Sequence, residues 1–228
     1  MGSKILYGIL IALGIFIVIT LIRAVFFLPK KRETKPLEDE HVVVEVVAKH
    51  LSGAIQIPTI SYPENEKIDW SQFEKFHKYL EDSYPLIHKT LERENVAEAS
   101  LLYRWKGKNP DLEPIALLSH QDVVPIEPGT EGDWTHEPFS GYNDGEFIWG
   151  RGALDMKNHL ICVMEAVEAL LEEGYEPERD VYLCFGHNEE VVASESAGAK
   201  AIMNTLKSRG IHLDSVIDEG GAILPVNV

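Results

Sequence analysis

The sequence has few cysteines and a shortage of positive charge. Only 2 of the 228 residues are cysteines and no Cys-x-x-Cys spacing occurs, so there is no such redox or zinc motif, and the redox compartment is not identified. Cys162 and Cys184 lie in apolar segments and are predicted to be buried free thiols. The 21 basic residues against 37 acidic ones give a formal net charge of -16. Such a chain, without a separate basic face, repels phosphate backbones, so we expect no nucleic-acid partner.

The sequence has one long apolar run, residues 5–28, which only Arg23 interrupts. A helix of about 20 apolar residues crosses the hydrocarbon core of a bilayer, so we predict a retained single-pass membrane anchor. A cleaved signal peptide is the alternative, but the run is long for one and no small-residue cleavage pattern follows it. The basic linker 29–37 favours a cytoplasmic location for the rest of the chain, yet a single anchor can also be oriented by its domain, so the membrane side stays open.

Residues 38–228 show the pattern of an alternating α/β domain. Helices are predicted for LEDEHVVVEVVAKHLSGAI, WSQFEKFHKYLEDSYPLIHKTL, residues 157–173 and SAGAKAIMNTLKSRG. Strands are predicted for ASLLYRWKG, EPIALLSH, DVYLCFGHNEE and DSVIDEGG, whereas QIPTISYP is predicted to be a loop. Because helices alternate with strands, we expect an α/β domain with three layers, a sheet between helices.

Polar residues follow four of the predicted segments, at the carboxyl ends of strands or in the loops just after them. They are His120 and Asp122 in SHQD, Asp155 in GRGALDMKN, Glu189 and Glu190 in GHNEE, and Asp218 and Glu219 in DEGG. Open α/β sheets place their sites at this edge. One imidazole with several carboxylates suits a divalent metal of intermediate softness, zinc first, with cobalt or manganese as alternatives.

These motifs also carry a family resemblance. SHQDVVP, GRGALDMKN, NEE and DEGG, in this order and spacing, resemble the aminoacylase and carboxypeptidase family of co-catalytic zinc peptidases. Within that family, roughly residues 40–228 are similar to the branch of Gly-Xaa carboxypeptidases and N-fatty-acyl-amino-acid hydrolases. The resemblance implies a zinc-peptidase catalytic domain that hydrolyses an amide bond in a small peptide or an N-acyl amino acid.

The resemblance implies a ligand set for two zinc ions. His120 would bind one metal, Asp155 would bridge both, and Glu190 would bind the second. The motif DEGG leaves two possibilities for a further ligand of the first metal, Asp218 and Glu219, and the resemblance favours Asp218.

The resemblance also assigns two residues that would not bind metal. Asp122 would accept a hydrogen bond from the far nitrogen of His120 and fix its tautomer. Glu189 would take a proton from the bridging water. A cis peptide bond between Asp155 and Met156 is implied as well.

The sequence departs from the family after the fourth motif. Family members continue with a lid and dimerisation domain and then with a histidine that completes the second metal site, whereas this sequence ends at AILPVNV. We therefore expect the amino-terminal portion of a hydrolase, with a homo-oligomer only if the lid domain exists. The other histidines do not have the expected position: His136, His159, His187 and His212. The alternative is a catalytically incomplete, membrane-tethered fragment that retains part of the metal site.

Overall fold

The structure is a computed structural model that describes residues 2–27, 43–191 and 198–220. The chain divides into two units, Met1–Val42 and Val43–Val228. The first unit contains helix α1 (Gly2–Phe26), which is apolar on all sides. Its segment Lys4–Phe26 has 23 residues and contains an 18-residue window with a mean hydropathy of 2.9, so by length and composition it is able to cross a membrane. The predicted linker 29–37 lies outside the described residues.

The second unit is built around a five-stranded sheet with the order β1-β2-β6-β3-β7. Strands β4 and β5 form a separate two-stranded hairpin. The strands are β1 (Glu92–Val96), β2 (Ser100–Trp105), β3 (Ile115–His120), β4 (Tyr142–Asn143), β5 (Ile148–Trp149), β6 (Val181–Gly186) and β7 (Ser215–Ile217). The helices are α2 (Val44–Ile55), α3 (Trp70–Ser83), α4 (Pro85–Thr90), α5 (Lys157–Glu172) and α6 (Gly198–Ser208), with short 3-10 helices at Asn65–Lys67 and Glu131–Asp133.

Helices cover both faces of the central strand β6, which is buried along its whole length. Leu183 and Phe185 of this strand belong to a core cluster with residues of α2 to α5, whereas Tyr182 and Cys184 pack on the opposite face against α6. Successive side chains of a strand point to opposite faces, so a strand covered on both faces is apolar throughout. The predicted mixture of helices around a central sheet is confirmed.

The strand directions place the carboxyl ends of three neighbours at one edge. β3 runs parallel to β6 on one side and to β7 on the other, whereas β2 is antiparallel to β1 and to β6. In the register, His120 at the end of β3 pairs with Gly186 at the end of β6. The segments that follow these two strands therefore leave the sheet side by side.

Some local features differ from what the sequence predicts. The helix predicted for residues 70–91 is divided into α3 and α4, because Pro85 disfavours helical dihedrals at Tyr84, where φ is -128° and ψ is 66°. Strand β1 was not predicted, because its sequence ERENV is polar and it pairs with β2 alone. Cys162 is exposed, so its predicted burial is wrong, whereas Cys184 is buried as predicted.

Candidate metal centre

The residues of the four motifs meet at the edge where β3 and β6 end. His120 is the last residue of β3, and Glu189 and Glu190 follow β6. Asp155 lies in the turn that precedes α5, and Glu219 follows β7. Four segments that are distant in sequence thus contribute one side chain or more to one site.

Carboxylates surround one nitrogen of the His120 ring. Its Nε2 atom lies 3.0 Å from Asp155 Oδ1, 3.9 Å from Glu189 Oε2 and 3.8 Å from Glu219 Oε1. Two groups have ligand atoms within 4.8 Å of one another: His120 with Asp155 and Glu190, and His120 with Glu189 and Glu219. The sequence predicts that His120, Asp155, Glu190 and Asp218 converge. The ligand atoms of the first three lie together, whereas Asp218 belongs to neither group, and their role as metal ligands stays a prediction.

The site is buried at its base and open at its rim. The His120 side chain is 2% exposed, whereas the side chains of Asp155, Glu189 and Glu219 are 62%, 52% and 37% exposed. A cation held by these carboxylates would therefore remain accessible to a small molecule from the solvent.

The charges of the site favour a cation. Burial alone would lower the pKa of His120, but the hydrogen bonds with Asp122 and Asp155 and the negative charges of Asp122 and Glu189 outweigh it and raise this pKa to about 9. Burial raises the pKa of Glu190 and of Glu219, and the neighbouring charge of Asp155 raises both further. A divalent cation among these groups would relieve the repulsion between the carboxylates. One imidazole nitrogen with several carboxylate oxygens fits zinc, cobalt or manganese.

The second nitrogen of His120 faces Asp122, the residue that the family resemblance places beside it. Nδ1 lies 3.0 Å from the backbone oxygen of Asp122 and 3.3 Å from its carboxylate Oδ1. Both neighbours are acceptors, so they hold a proton on Nδ1. A metal that displaced the Nε2 proton would therefore find the Nε2 lone pair directed at the site. The backbone carbonyl in this contact was not anticipated.

The Asp122 carboxylate is completely buried and connects several segments. It accepts hydrogen bonds from the backbone N–H of Glu189 at 3.0 Å and of Glu190 at 3.2 Å, and from Ser61 Oγ at 2.6 Å. Burial opposes ionisation of Asp122, but the hydrogen bonds from His120 and Ser61 outweigh it, so the pKa of this carboxyl lies below its usual value.

Asp218 lies outside both groups of converging ligand atoms. Its Oδ1 accepts a hydrogen bond of 2.9 Å from the backbone N–H of Glu219. Of the two candidates in DEGG, the geometry thus brings Glu219 and not Asp218 close to His120. The assignment of Asp218 as a ligand stays a prediction.

The turn before Asp155 has the tight backbone that its glycines suggest. Gly150 and Gly152 have φ values of +148° and +83°, and a Cβ atom on Gly152 would lie 2.7 Å from Val123 Cγ1. The peptide bond between Asp155 and Met156 is cis, as the resemblance implied.

The segment that contains Thr59 and Ser61 also contributes to the site, although its sequence QIPTISYP indicated only a loop. It lies beside residues 121–123: Val123 N donates to Thr59 O at 3.0 Å, Ser61 N donates to Val123 O at 3.1 Å, and Thr59 Oγ1 donates to Gln121 O at 2.5 Å. Thr59 and Ser61 are both buried. Two small hydroxyl residues at alternate positions of an otherwise apolar stretch were the signal that could have identified this segment.

Residues 116–224 match Peptidase family M20/M25/M40, and the four motifs lie within this range. The chain belongs to this family, because relatives that are 42% and 39% identical align with 78% and 82% of it. The family membership that the motifs predicted is therefore confirmed.

Two curated relatives are similar to most of this chain. Carboxypeptidase S of Saccharomyces cerevisiae is 42% identical over 188 residues, which are 78% of this chain and 32% of that protein. The N-fatty-acyl-amino acid synthase/hydrolase PM20D1 of Mus musculus is 39% identical over 189 residues, which are 82% of this chain and 36% of that protein. The chain thus spans about a third of the length of these relatives.

The M20 family metallo-carboxypeptidase Sso-CP2 of Sulfolobus solfataricus shares the fold. Its crystal structure aligns with a TM-score of 0.59 and 21% identity, over 78% of this chain and 38% of that chain. The alignment supports the α/β catalytic-domain fold.

Proposed function

We propose that this protein hydrolyses an amide bond in a small peptide or an N-acyl amino acid with the help of two zinc ions. The observation that carries the proposal is the convergence of one imidazole nitrogen and several carboxylates at the carboxyl edge of the sheet. The names of the relatives, a carboxypeptidase and an N-fatty-acyl-amino acid synthase/hydrolase, support this substrate class.

His120, Asp155 and Glu190 would hold the metals, together with Asp218 or Glu219. Two divalent cations bound there would lower the pKa of a water molecule and polarise the carbonyl of the scissile bond. Asp155 is suited to the shared position, because its Oδ1 lies 3.0 Å from His120 Nε2 and belongs to the same group as Glu190.

Glu189 would act as the general base. Its carboxylate is about half exposed and lies 3.9 Å from His120 Nε2, close enough to reach a water molecule at the site. It would take a proton from that water and deliver it to the leaving amine. Asp122, which is buried and hydrogen-bonded to the backbone N–H of Glu189, would keep both this residue and His120 in place.

The test is hydrolysis by the purified protein. We expect release of free amino acid from N-acyl amino acids or dipeptides, loss of that release on treatment with a chelator, and recovery on addition of zinc. A protein that binds zinc but releases no amino acid would support the alternative, a catalytically incomplete fragment. A protein that neither binds zinc nor hydrolyses these compounds would contradict the proposal.

We also propose that α1 anchors the protein in a membrane. Its length, its composition and its apolar character on every side support this location, and a signal sequence is the alternative because α1 is near the N-terminus. An anchor should keep the mature protein with the membrane fraction after an alkaline wash. A mature amino terminus beyond residue 28, identified by mass spectrometry, would show that the helix is cleaved.

A further inference from the structure

We infer that Ser61 is a positioning residue for the metal centre, acting through Asp122 on both metal positions together. The inference rests on the proposed function, since it assumes that His120 and Glu190 serve two metals. Ser61 itself does not touch the proposed ligands. Its only role in the site would be to orient the carboxylate that holds them.

The contact is short and buried. Ser61 Oγ donates to Asp122 Oδ2 at 2.6 Å, Ser61 is 2% exposed and Asp122 is 0% exposed. A hydrogen bond to a charged acceptor in such surroundings is stronger than one between neutral groups. Removing the donor leaves the Asp122 carboxylate with less compensation for its burial.

The two oxygens of Asp122 have different tasks. Oδ1 faces His120 Nδ1 and the N–H of Glu189, whereas Oδ2 receives the N–H of Glu190 and the hydroxyl of Ser61. Without Ser61, the one hydrogen bond to Oδ2 left among the described residues is that of 3.2 Å from Glu190. The plane of the carboxylate would then be less firmly fixed, and His120 and the Glu190 loop would both lose orientation.

Ser61 is itself held by backbone contacts. Its N–H donates to Val123 O, and Ile60 forms a parallel bridge with Val123. The backbone that leads into this segment is held as well, because Lys157 Nζ donates to Ala54 O at 3.0 Å and to Ile57 O at 2.6 Å. The hydroxyl therefore approaches Asp122 from a fixed support, which a positioning residue requires.

Thr59 provides a matched control. It lies in the same segment, is equally buried and donates its hydroxyl at 2.5 Å, but to the backbone oxygen of Gln121 and not to Asp122. A purely structural role of the segment would make Thr59→Val and Ser61→Ala behave alike. A positioning role would separate them.

The experiment measures zinc affinity of the full chain in detergent, by competition with a chromogenic chelator, together with the absorption spectrum of the cobalt-loaded protein. Urea unfolding of each variant verifies folding. We expect Ser61→Ala to weaken zinc binding at least about 10-fold and to change the cobalt spectrum. Ser61→Thr should restore both, and Thr59→Val should resemble the wild type in both even if it is less stable. Where Ser61→Ala does not fold, Ser61→Cys fills the same volume with a weaker donor and replaces it.

The outcomes separate this inference from the proposed function. A wild-type protein that binds no zinc overturns both. A wild-type protein that binds zinc with the same affinity and cobalt spectrum as Ser61→Ala overturns only the role of Ser61, and so do equal losses in Ser61→Ala and Thr59→Val.

Discussion

The buried carboxylate of Asp122 accepts a hydrogen bond of 3.0 Å from the backbone N–H of Glu189. The same oxygen lies 3.3 Å from Nδ1 of His120. One side chain therefore fixes the orientation of the imidazole and the path of the loop that carries the proposed base. The backbone of Glu189 therefore has a structural role that is separate from the catalytic role proposed for its side chain.

Replacing Glu189 by Gln should remove proton transfer and leave metal binding almost intact. The backbone contact with Asp122 remains, and the change is nearly isosteric. We expect turnover of an N-acyl amino acid to fall by roughly two to four orders of magnitude, with zinc content close to that of the wild type. The matched variant Glu190→Gln should instead lower zinc content, as measured by atomic absorption. Equal zinc loss in both variants would contradict this division of roles, and zinc loss in Glu189→Gln alone would show that the two roles are exchanged.

Asp218 and Glu219 are distinguished by their distance from the proposed metal position. Glu219 Oε1 lies 3.8 Å from His120 Nε2, whereas Asp218 belongs to neither group of converging ligand atoms. The geometry therefore predicts that Glu219→Gln weakens zinc binding more than Asp218→Asn. Isothermal titration with zinc would measure both. A larger loss for Asp218→Asn would restore the assignment that the family resemblance favours.

His77 should make the stability of the protein depend on acid pH. It is buried, and its Nε2 lies 2.8 Å from Gln121 Oε1; Gln121 uses its amide nitrogen to donate to Ala99 O and Phe185 O. Oε1 must therefore accept from the neutral ring. Burial lowers the pKa of His77 from 6.5 to about 4.

The folded state binds this proton less readily than the unfolded state. The contribution of His77 to the free energy of unfolding is therefore fully present above pH 6.5 and is lost as the pH falls from 6.5 through about 4. The difference between these pKa values corresponds to about 3 kcal/mol. In urea unfolding, the wild type should lose about that much more than His77→Gln between neutral pH and pH 4. The variant keeps a donor but does not titrate in this range. Parallel losses in the two proteins would rule out a contribution from His77.

Two glycines with positive φ should respond differently to alanine. Gly152 has a φ of +83° and a Cβ there would lie 2.7 Å from Val123, whereas Gly145 has a φ of +94° and no atom within 4 Å of its Cβ position. Gly145→Ala should therefore cost only the backbone strain, about 1 to 2 kcal/mol. Gly152→Ala should cost about 1 to 3 kcal/mol more, because Val123 must also move. Thermal unfolding compares the two, and a cost for Gly145→Ala as large as that for Gly152→Ala would contradict the steric argument.

The parts of the fold that the sequence predicts well are those with a strong local pattern. Strands β3 and β6 are apolar and helix α5 is long, so their composition alone identifies them. Strand β1 was missed because four of the five residues of ERENV are polar and nothing local marks it as extended. The break between α3 and α4 had a local signal in Pro85, which the apolar periodicity of residues 70–91 obscured.

The same reasoning applies to the candidate site. The motif residues were found because each follows an apolar strand or precedes a helix, and the sheet brings these positions together. Ser61 was not found, since its partner Asp122 is 61 residues away and hydrogen bonds at that separation depend on tertiary packing. The sequence alone also could not decide between Asp218 and Glu219 as the ligand. Adjacent side chains of an extended segment point in opposite directions, and which of the two faces the site depends on where β7 ends.

The two edges of the central sheet differ chemically. At one edge, β1 carries Glu92, Arg93 and Glu94, and charges of this kind discourage another strand from pairing there. At the other edge, β7 has only three residues, and Val216 and Ile217 are 49% and 54% exposed. Among the described residues, charge thus discourages a further strand beside β1, whereas β7, on the side that carries Glu219, has no charged side chain that would do so.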